Sequence, residues 1–194
     1  MDSSEEPRGI FLVIDNKSFY ATIECTMRGL DPLTTPLVVM SEAENTNGGL
    51  VLASSPMAKK LYGISNVNRQ RDLPRDNHLI VVPPSMNTYI EKNIEVNNIY
   101  REFVADEDLL PYSIDESILD ITHSWKLFGD DQIAVVKKIQ KTVHDRLKLV
   151  RAKIRCRPRL RWTSMPSMIH ASLARLPMTR SKIGIDFFMV KLNK

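Results

Sequence analysis

Residues 10–24 read IFLVIDNKSFYATIE. Five apolar residues, Ile10–Ile14, run without a break into Asp15, the pattern of a strand buried on both faces. Ser18 then stands where a helix cap is expected, with the helix predicted to continue to Met27 and Gly29 to follow it. A hundred residues on, Ser113–Ile121 reads SIDESILDI. Tyr112–Ile121 alternates, with Tyr112, Ile114, Glu116, Ile118 and Asp120 on one face and Ser113, Asp115, Ser117, Leu119 and Ile121 on the other. This predicts a strand, or a strand–turn–strand, carrying carboxylates in an apolar setting.

Outward from these two stretches, Leu37–Met40 (LVVM), Gly48–Ala53 (GGLVLA) and Leu79–Val82 (LIVV) are further strand candidates. MAKKLYG, after Pro56, predicts a short helix stopped by Gly63. Ser85 is expected to cap a long helix reaching about Val104, with Tyr89, Ile90, Ile94, Ile99 and Phe103 in the core. Apolar residues recur at three- and four-residue spacing from Ile133 to Val150, predicting another helix after Asp130 or Asp131.

Carboxylates placed like Asp15, Asp115 and Glu116 cost free energy unless they are paired, hydrogen-bonded or bound to metal. If the three converge, their mutual repulsion invites a divalent cation, and oxygen-only ligands favour Mg²⁺ or Mn²⁺ over zinc. Two such ions about 3.5–4 Å apart serve phosphoryl transfer. The plainer alternatives are a turn or cap aspartate at Asp15 and an exposed strand edge at Asp115-Glu116. Spacing alone leaves both open.

Composition is consistent with one sizeable domain, or one domain plus an appendage, at 194 residues and 43% apolar. The net charge of +4 is unevenly spread. Residues 1–150 hold 16 basic and 22 acidic side chains, whereas 151–194 hold 11 basic and one acidic, Asp186. Cys25 and Cys156, the only cysteines, lack metal-site spacing and are expected to be free thiols. The acidic start MDSSEEPRG is unlike a signal peptide, and no run suggests a membrane span.

Phe11–Glu24 (FLVIDNKSFYATIE) resembles the first motif of Y-family, UmuC/DinB-like translesion DNA polymerases, and Ser113–Ile121 resembles their second acidic motif. The resemblance implies that Asp15, Asp115 and Glu116 are the catalytic, metal-binding carboxylates and that Asn16 adds its carbonyl. It also implies that Tyr20 is the steric gate against a ribose 2′-hydroxyl, with Phe19 beneath the nucleotide. The segment GGLVLASSPMAKKLYGI resembles the fingers, but Met57 and Lys60 stand where relatives place a Tyr and an Arg. Ser54, Ser55, Lys59 and Lys60 are then candidates to cap the helix or to meet phosphate, and Ser113 and Asp120 to support the fold. The implied fold is α/β (α+β): a palm-like, mixed, mainly antiparallel sheet with packed helices. Residues 1–9 would be an extension, 10–150 an incomplete palm with a fingers insertion at about 31–83, and 151–194 a basic divergent tail.

The implied chemistry is nucleotidyl transfer from dNTP to a DNA 3′ end with two Mg²⁺ ions, in translesion repair. The implied partners are primer-template DNA and polymerase accessory proteins or a sliding clamp, with no membrane, in the cytoplasm near the nucleoid. The resemblance ends near Leu149, and the thumb and little finger with which family members grip DNA are not expected within 194 residues, which predicts a weak or inactive fragment. Two readings of the tail compete. One is a frameshifted or degenerate segment; the other is a nucleic-acid-binding arm using Arg151, Arg155, Arg157, Arg159 and Arg161, with Trp162 stacking. Rival functions are a non-catalytic DNA- or partner-binding remnant and another two-metal phosphoryl-transfer enzyme.

Overall fold

In the computed structural model, which describes residues 8–41 and 48–159, the short β-branched runs form two separate sheets. In chain order the elements are β1 (Arg8–Asp15), α1 (Phe19–Met27), β2 (Leu37–Met40), β3 (Val51–Ser54), α2 (Pro56–Tyr62), β4 (Ile80–Val82), α3 (Met86–Tyr100), β5 (Leu109–Pro111), β6 (Glu116–Asp120), α4 (Gln132–Leu147) and β7 (Lys153–Arg159). They are shared between two units.

The first unit holds the sheet β5-β6-β1-β7, antiparallel throughout. Leu12 and Ile14 of β1 are fully buried, and on the same face their neighbours Leu119, Ile154 and Cys156 are buried too. Period-two side-chain direction accounts for this. The other face carries Asp15 beside Glu116 and Lys153, then Val13 beside Ile118 and Arg155. Ser117 is buried, and its hydroxyl donates to Asn97 Oδ1 at 2.9 Å, so its burial is compensated. The rings of Phe103 and Phe128 pack 4.9 Å apart.

The strand β7 begins the stretch expected as a basic tail. Ala152, Ile154 and Cys156 are buried while Lys153 and Arg155 face outward, so this part of the basic stretch is a sheet strand rather than a tail. Pro111 and Pro158 lie on β5 and β7, the two edges of the sheet, where a missing backbone donor is tolerated. Trp162 and the remaining tail positions lie outside the described residues. In the second acidic motif a single strand, β6, follows a bend at 112–115, and its partner β5 lies just ahead of the motif.

The second unit holds the sheet β3-β2-β4, within the expected 31–83 insertion. All four residues of central β2 are buried. β2 pairs antiparallel with β3 and parallel with β4, and α2 lies in the crossover between β3 and β4. Val38, Met40, Val51, Ala58 and Ile64 form a small core ringed by Tyr62, Leu73 and Leu79. Gly49 permits the β2–β3 approach, since a Cβ there would lie 1.9 Å from the Ser41 carbonyl oxygen. Gly63 ends α2 at φ 65, as its position predicts. The helix α1 lies against β2 and β3.

Three local expectations fail here. α3 ends at Tyr100 rather than near Val104. Ile90 and Ile94 are 45% and 54% exposed, because Tyr89, Val96 and Tyr100 take the buried face. Ser18 precedes α1 but in the left-handed conformation, φ 52, and its side chain does not cap the helix. Cys25 and Cys156 are buried free thiols, and burial pushes Cys25 up to about 11.

Candidate active site

The acidic site is built by strand register within the first unit. β1 ends at Asp15 where β6 begins at Glu116, and the two are direct cross-strand partners. Antiparallel partners on one face bring Cβ atoms within about 4.5–5.5 Å. Asp115 precedes Glu116 in the turn. That turn is pinned by the backbone N–H groups of Tyr112 and Ser113, both donating to the Glu116 carbonyl, at 2.9 and 3.1 Å. The Ser113 hydroxyl donates to Asp115 Oδ1 at 2.8 Å and accepts from the Glu116 N–H at 3.1 Å. Ser113 therefore supports Asp115, as expected. Asp120, four residues on, accepts from the Thr122 N–H at 2.9 Å and from the Thr122 hydroxyl, a fold-supporting role.

All three site carboxylates are half-buried. Burial, then the charge of Asp115, then that of Asp15, raise the Glu116 carboxyl above its ordinary value, against the opposing pull of Arg155. The three acids thus share one electrostatic neighbourhood, an attractive setting for a cation. They are not gathered into a closed chelate: among the described residues no group of three or more His, Cys, Asp or Glu is placed to hold a metal ion. The donor set is all oxygen and mutually repulsive, which fits a hard divalent ion.

In the second unit, Asn16 is buried at 3% exposure, Phe19 is buried and Tyr20 is half-buried. The Tyr20 ring stacks on Tyr89, with centroids 4.4 Å apart and planes 10° from parallel, while Phe19 lies tilted at 6.2 Å from Tyr20. Lys59 Nζ donates to Ser18 Oγ at 3.1 Å. Lys60, the residue predicted from the fingers match, is exposed on the next helix position, and Met57 is half-buried. Ser54 has no exposed surface, and its hydroxyl donates to the Ile64 carbonyl at 3.0 Å. Ser55 caps α2: its oxygen accepts from the N–H groups of Ala58 and Leu37, each at 3.0 Å, and donates to Thr35 O at 2.7 Å.

Sequence reasoning missed the Glu24–Tyr89 pair behind Tyr20, signalled only by a carboxylate four residues after Tyr20 in α1, and it missed Lys153. Arg155, expected as a phosphate contact of the tail, stands on β7 with Lys153, and both flank the acidic strands. No described helix is long and apolar enough to cross a membrane.

The impB/mucB/samB family model matches residues 14–152. The DNA repair protein homolog YozK of Bacillus subtilis (strain 168) is 37% identical over 114 residues, covering 59% of this chain and 98% of that protein. DNA polymerase IV 2 of the same organism is 36% identical over 138 residues, covering 68% of this chain and 31% of that protein. The insertion ternary complex of Dbh DNA polymerase has the same fold, with a TM-score of 0.66 at 21% identity over 76% of this chain and 42% of that one. The chain spans about a third of the length of the polymerase IV relative. With both acidic motifs on paired strands and the family model spanning them, the chain belongs to the impB/mucB/samB family.

Proposed function

We propose that this chain carries the catalytic carboxylates of a translesion DNA polymerase that adds a deoxynucleotide to a DNA 3′ end. The observation that carries the reading is the cross-strand pairing of Asp15 with Glu116, with Asp115 adjacent, in the order of the family's two acidic motifs. Asp15, Asp115 and Glu116 would hold Mg²⁺, two ions in this reading, with the Asn16 carbonyl as a further ligand. When bound, such ions activate the attacking hydroxyl and stabilise the charge of the departing pyrophosphate.

The chain's own residues have separable tasks. Ser113 orients the Asp115 carboxylate through its 2.8 Å hydrogen bond. Tyr20 bounds the sugar of the dNTP and excludes a ribose 2′-hydroxyl, with Phe19 supporting it. Lys59 is a better candidate than Lys60 to meet the triphosphate, because its ammonium is drawn to Ser18 at the start of α1. It would act as a point charge, without the bidentate geometry of arginine. Lys153 and Arg155, outward-facing on β7, suit the phosphates of primer-template DNA. Accessory proteins or a sliding clamp complete the proposed partners, and the cytoplasm near the nucleoid the proposed setting.

A second reading, DNA binding without catalysis, draws on the absence of a closed three-ligand set among the described residues. Primer extension with Mg²⁺ and dNTPs separates the two. Catalysis predicts extension by the wild type and a loss of roughly 10³-fold or more in Asp115→Ala, on the scale of removing a principal electrostatic group. Binding of primer-template with no extension by either protein supports the second reading.

A further inference from the structure

Glu24 is the one fully buried carboxylate among the described residues, at 0% exposure on α1. A buried charge persists only when paired and hydrogen-bonded. The Tyr89 hydroxyl donates to Glu24 Oε1 at 2.6 Å, a short charge-assisted bond. Arg28, one helical turn on, donates to Oε2 as an ion pair and to the Glu24 carbonyl at 2.9 Å. Burial pushes the Glu24 carboxyl up, but hydrogen bonds from Tyr89, Arg28 and Ser85, with the Arg28 charge, outweigh it and hold the group below its ordinary value. The Tyr89 hydroxyl is pushed well above its ordinary range, first by burial and then by Glu24. At neutral pH the pair is therefore carboxylate and phenol, with the proton on Tyr89.

Tyr20, Glu24 and Arg28 recur at four-residue spacing on α1, extending just past its last turn, so they line one side of the helix. Tyr89 comes to that side from α3, and its ring is the surface on which Tyr20 stacks. The plane of Tyr20 is thus set by a ring whose far end is anchored to a buried anion. An apolar residue at position 24 would leave the buried Tyr89 hydroxyl without its acceptor and Arg28 without its ion-pair partner, at a cost in stability. What only a carboxylate supplies is a fixed bearing for the Tyr89 hydroxyl.

We infer that Glu24 is a positioning residue for sugar discrimination: through Tyr89 it holds the Tyr20 ring against the sugar of the incoming nucleoside triphosphate. This rests on the polymerase reading of Tyr20. The brace predicts that selectivity for dNTP over rNTP depends on a hydroxyl and a carboxylate that never touch the nucleotide.

The test measures kcat/KM for dNTP and for the matching rNTP in Mg²⁺-dependent primer extension by the full chain. Wild type is compared with Tyr89→Phe, which keeps the stacked ring, Glu24→Gln, which keeps an acceptor of the same shape, and Tyr20→Ala. The expected result is a fall of about tenfold in the dNTP/rNTP ratio for Tyr89→Phe and Glu24→Gln, arising from faster rNTP incorporation, and a larger fall for Tyr20→Ala. A purely structural role would lower both substrates alike and leave the ratio unmoved. Aromatic carbon-13 NMR of the Tyr20 ring in the same folded proteins gives a second readout. The brace predicts a more mobile ring in Tyr89→Phe and Glu24→Gln than in the wild type. If Tyr20→Ala loses selectivity while the other two variants keep it, the brace is wrong and the polymerase reading stands. If the wild type extends nothing, the polymerase reading fails, and an unchanged Tyr20 ring signal in Glu24→Gln overturns the brace independently.

Discussion

Two carboxylate groups in this chain face opposite electrostatic conditions. Glu116, on the four-stranded sheet, is half-buried beside Asp115 and Asp15, and burial with like charge raises its carboxyl above the ordinary value of 4.5. Glu24, in the second unit, is fully buried, yet donors from Tyr89, Arg28 and Ser85 bring its carboxyl below the same value. One group gains from an added cation; the other is already satisfied by the fold. Burial alone therefore does not set the direction of a carboxyl's shift, which follows from the net field of its neighbours.

The largest expected effect falls on the first group: Asp115→Ala should remove roughly 10³-fold or more of primer-extension activity, measured at saturating Mg²⁺. Next comes Glu24→Gln. Its folded carboxyl is depressed, so its stabilisation is present above the unfolded value and is lost as pH falls through the folded one. At neutral pH the variant should be less stable by about 1.5–3 kcal/mol, the scale of a hydrogen bond to a charged group. In urea unfolding, that difference should shrink as pH falls from the ordinary carboxylate value through the lower folded one. A smaller effect is expected for Ser113→Ala, which frees the Asp115 carboxylate to rotate. Divalent-cation affinity should fall about tenfold, the scale of losing an outer-shell hydrogen bond.

The smallest effect is the most discriminating, because its sign is opposite. Glu116 has a raised carboxyl, so in its ionised form it opposes folding, and that cost is relieved as pH falls through the raised value. Without divalent cation, Glu116→Gln should stabilise the protein at neutral pH by less than about 1 kcal/mol, a figure discounted for its partial exposure. The gain should vanish on acidification. A loss of stability in Glu116→Gln, matching that of Glu24→Gln, would erase the distinction between the two groups.

The strands that make the first group were legible because each is a compact run of β-branched residues ending at a carboxylate or a turn. Ile10–Ile14 and Ile118–Leu119 announce burial by themselves. Their register is not a local property, so the pairing of Asp15 with Glu116 required the fold. β7 was misread because arginines and Pro158 mask its period-two pattern; an edge strand tolerates both. Ile90 and Ile94 were misplaced because α3 offers apolar residues on more than one side, and tertiary packing selected Tyr89, Val96 and Tyr100. Ser54 and Ser55 are adjacent and chemically identical, and only the position of the α2 N-terminus decides that Ser55 caps. The Glu24–Tyr89 bond joins residues 65 positions apart, beyond the reach of any periodic signal.

The central claim is that Asp15, Asp115 and Glu116 form a divalent-cation site. Titration of the purified chain with Mn²⁺, followed by the electron paramagnetic resonance signal of the free ion, tests it without requiring DNA or turnover. The wild type should deplete free Mn²⁺, and an Asp15→Asn, Asp115→Asn double variant, folded by circular dichroism, should deplete far less. Equal depletion by both proteins, or none by the wild type, would contradict it.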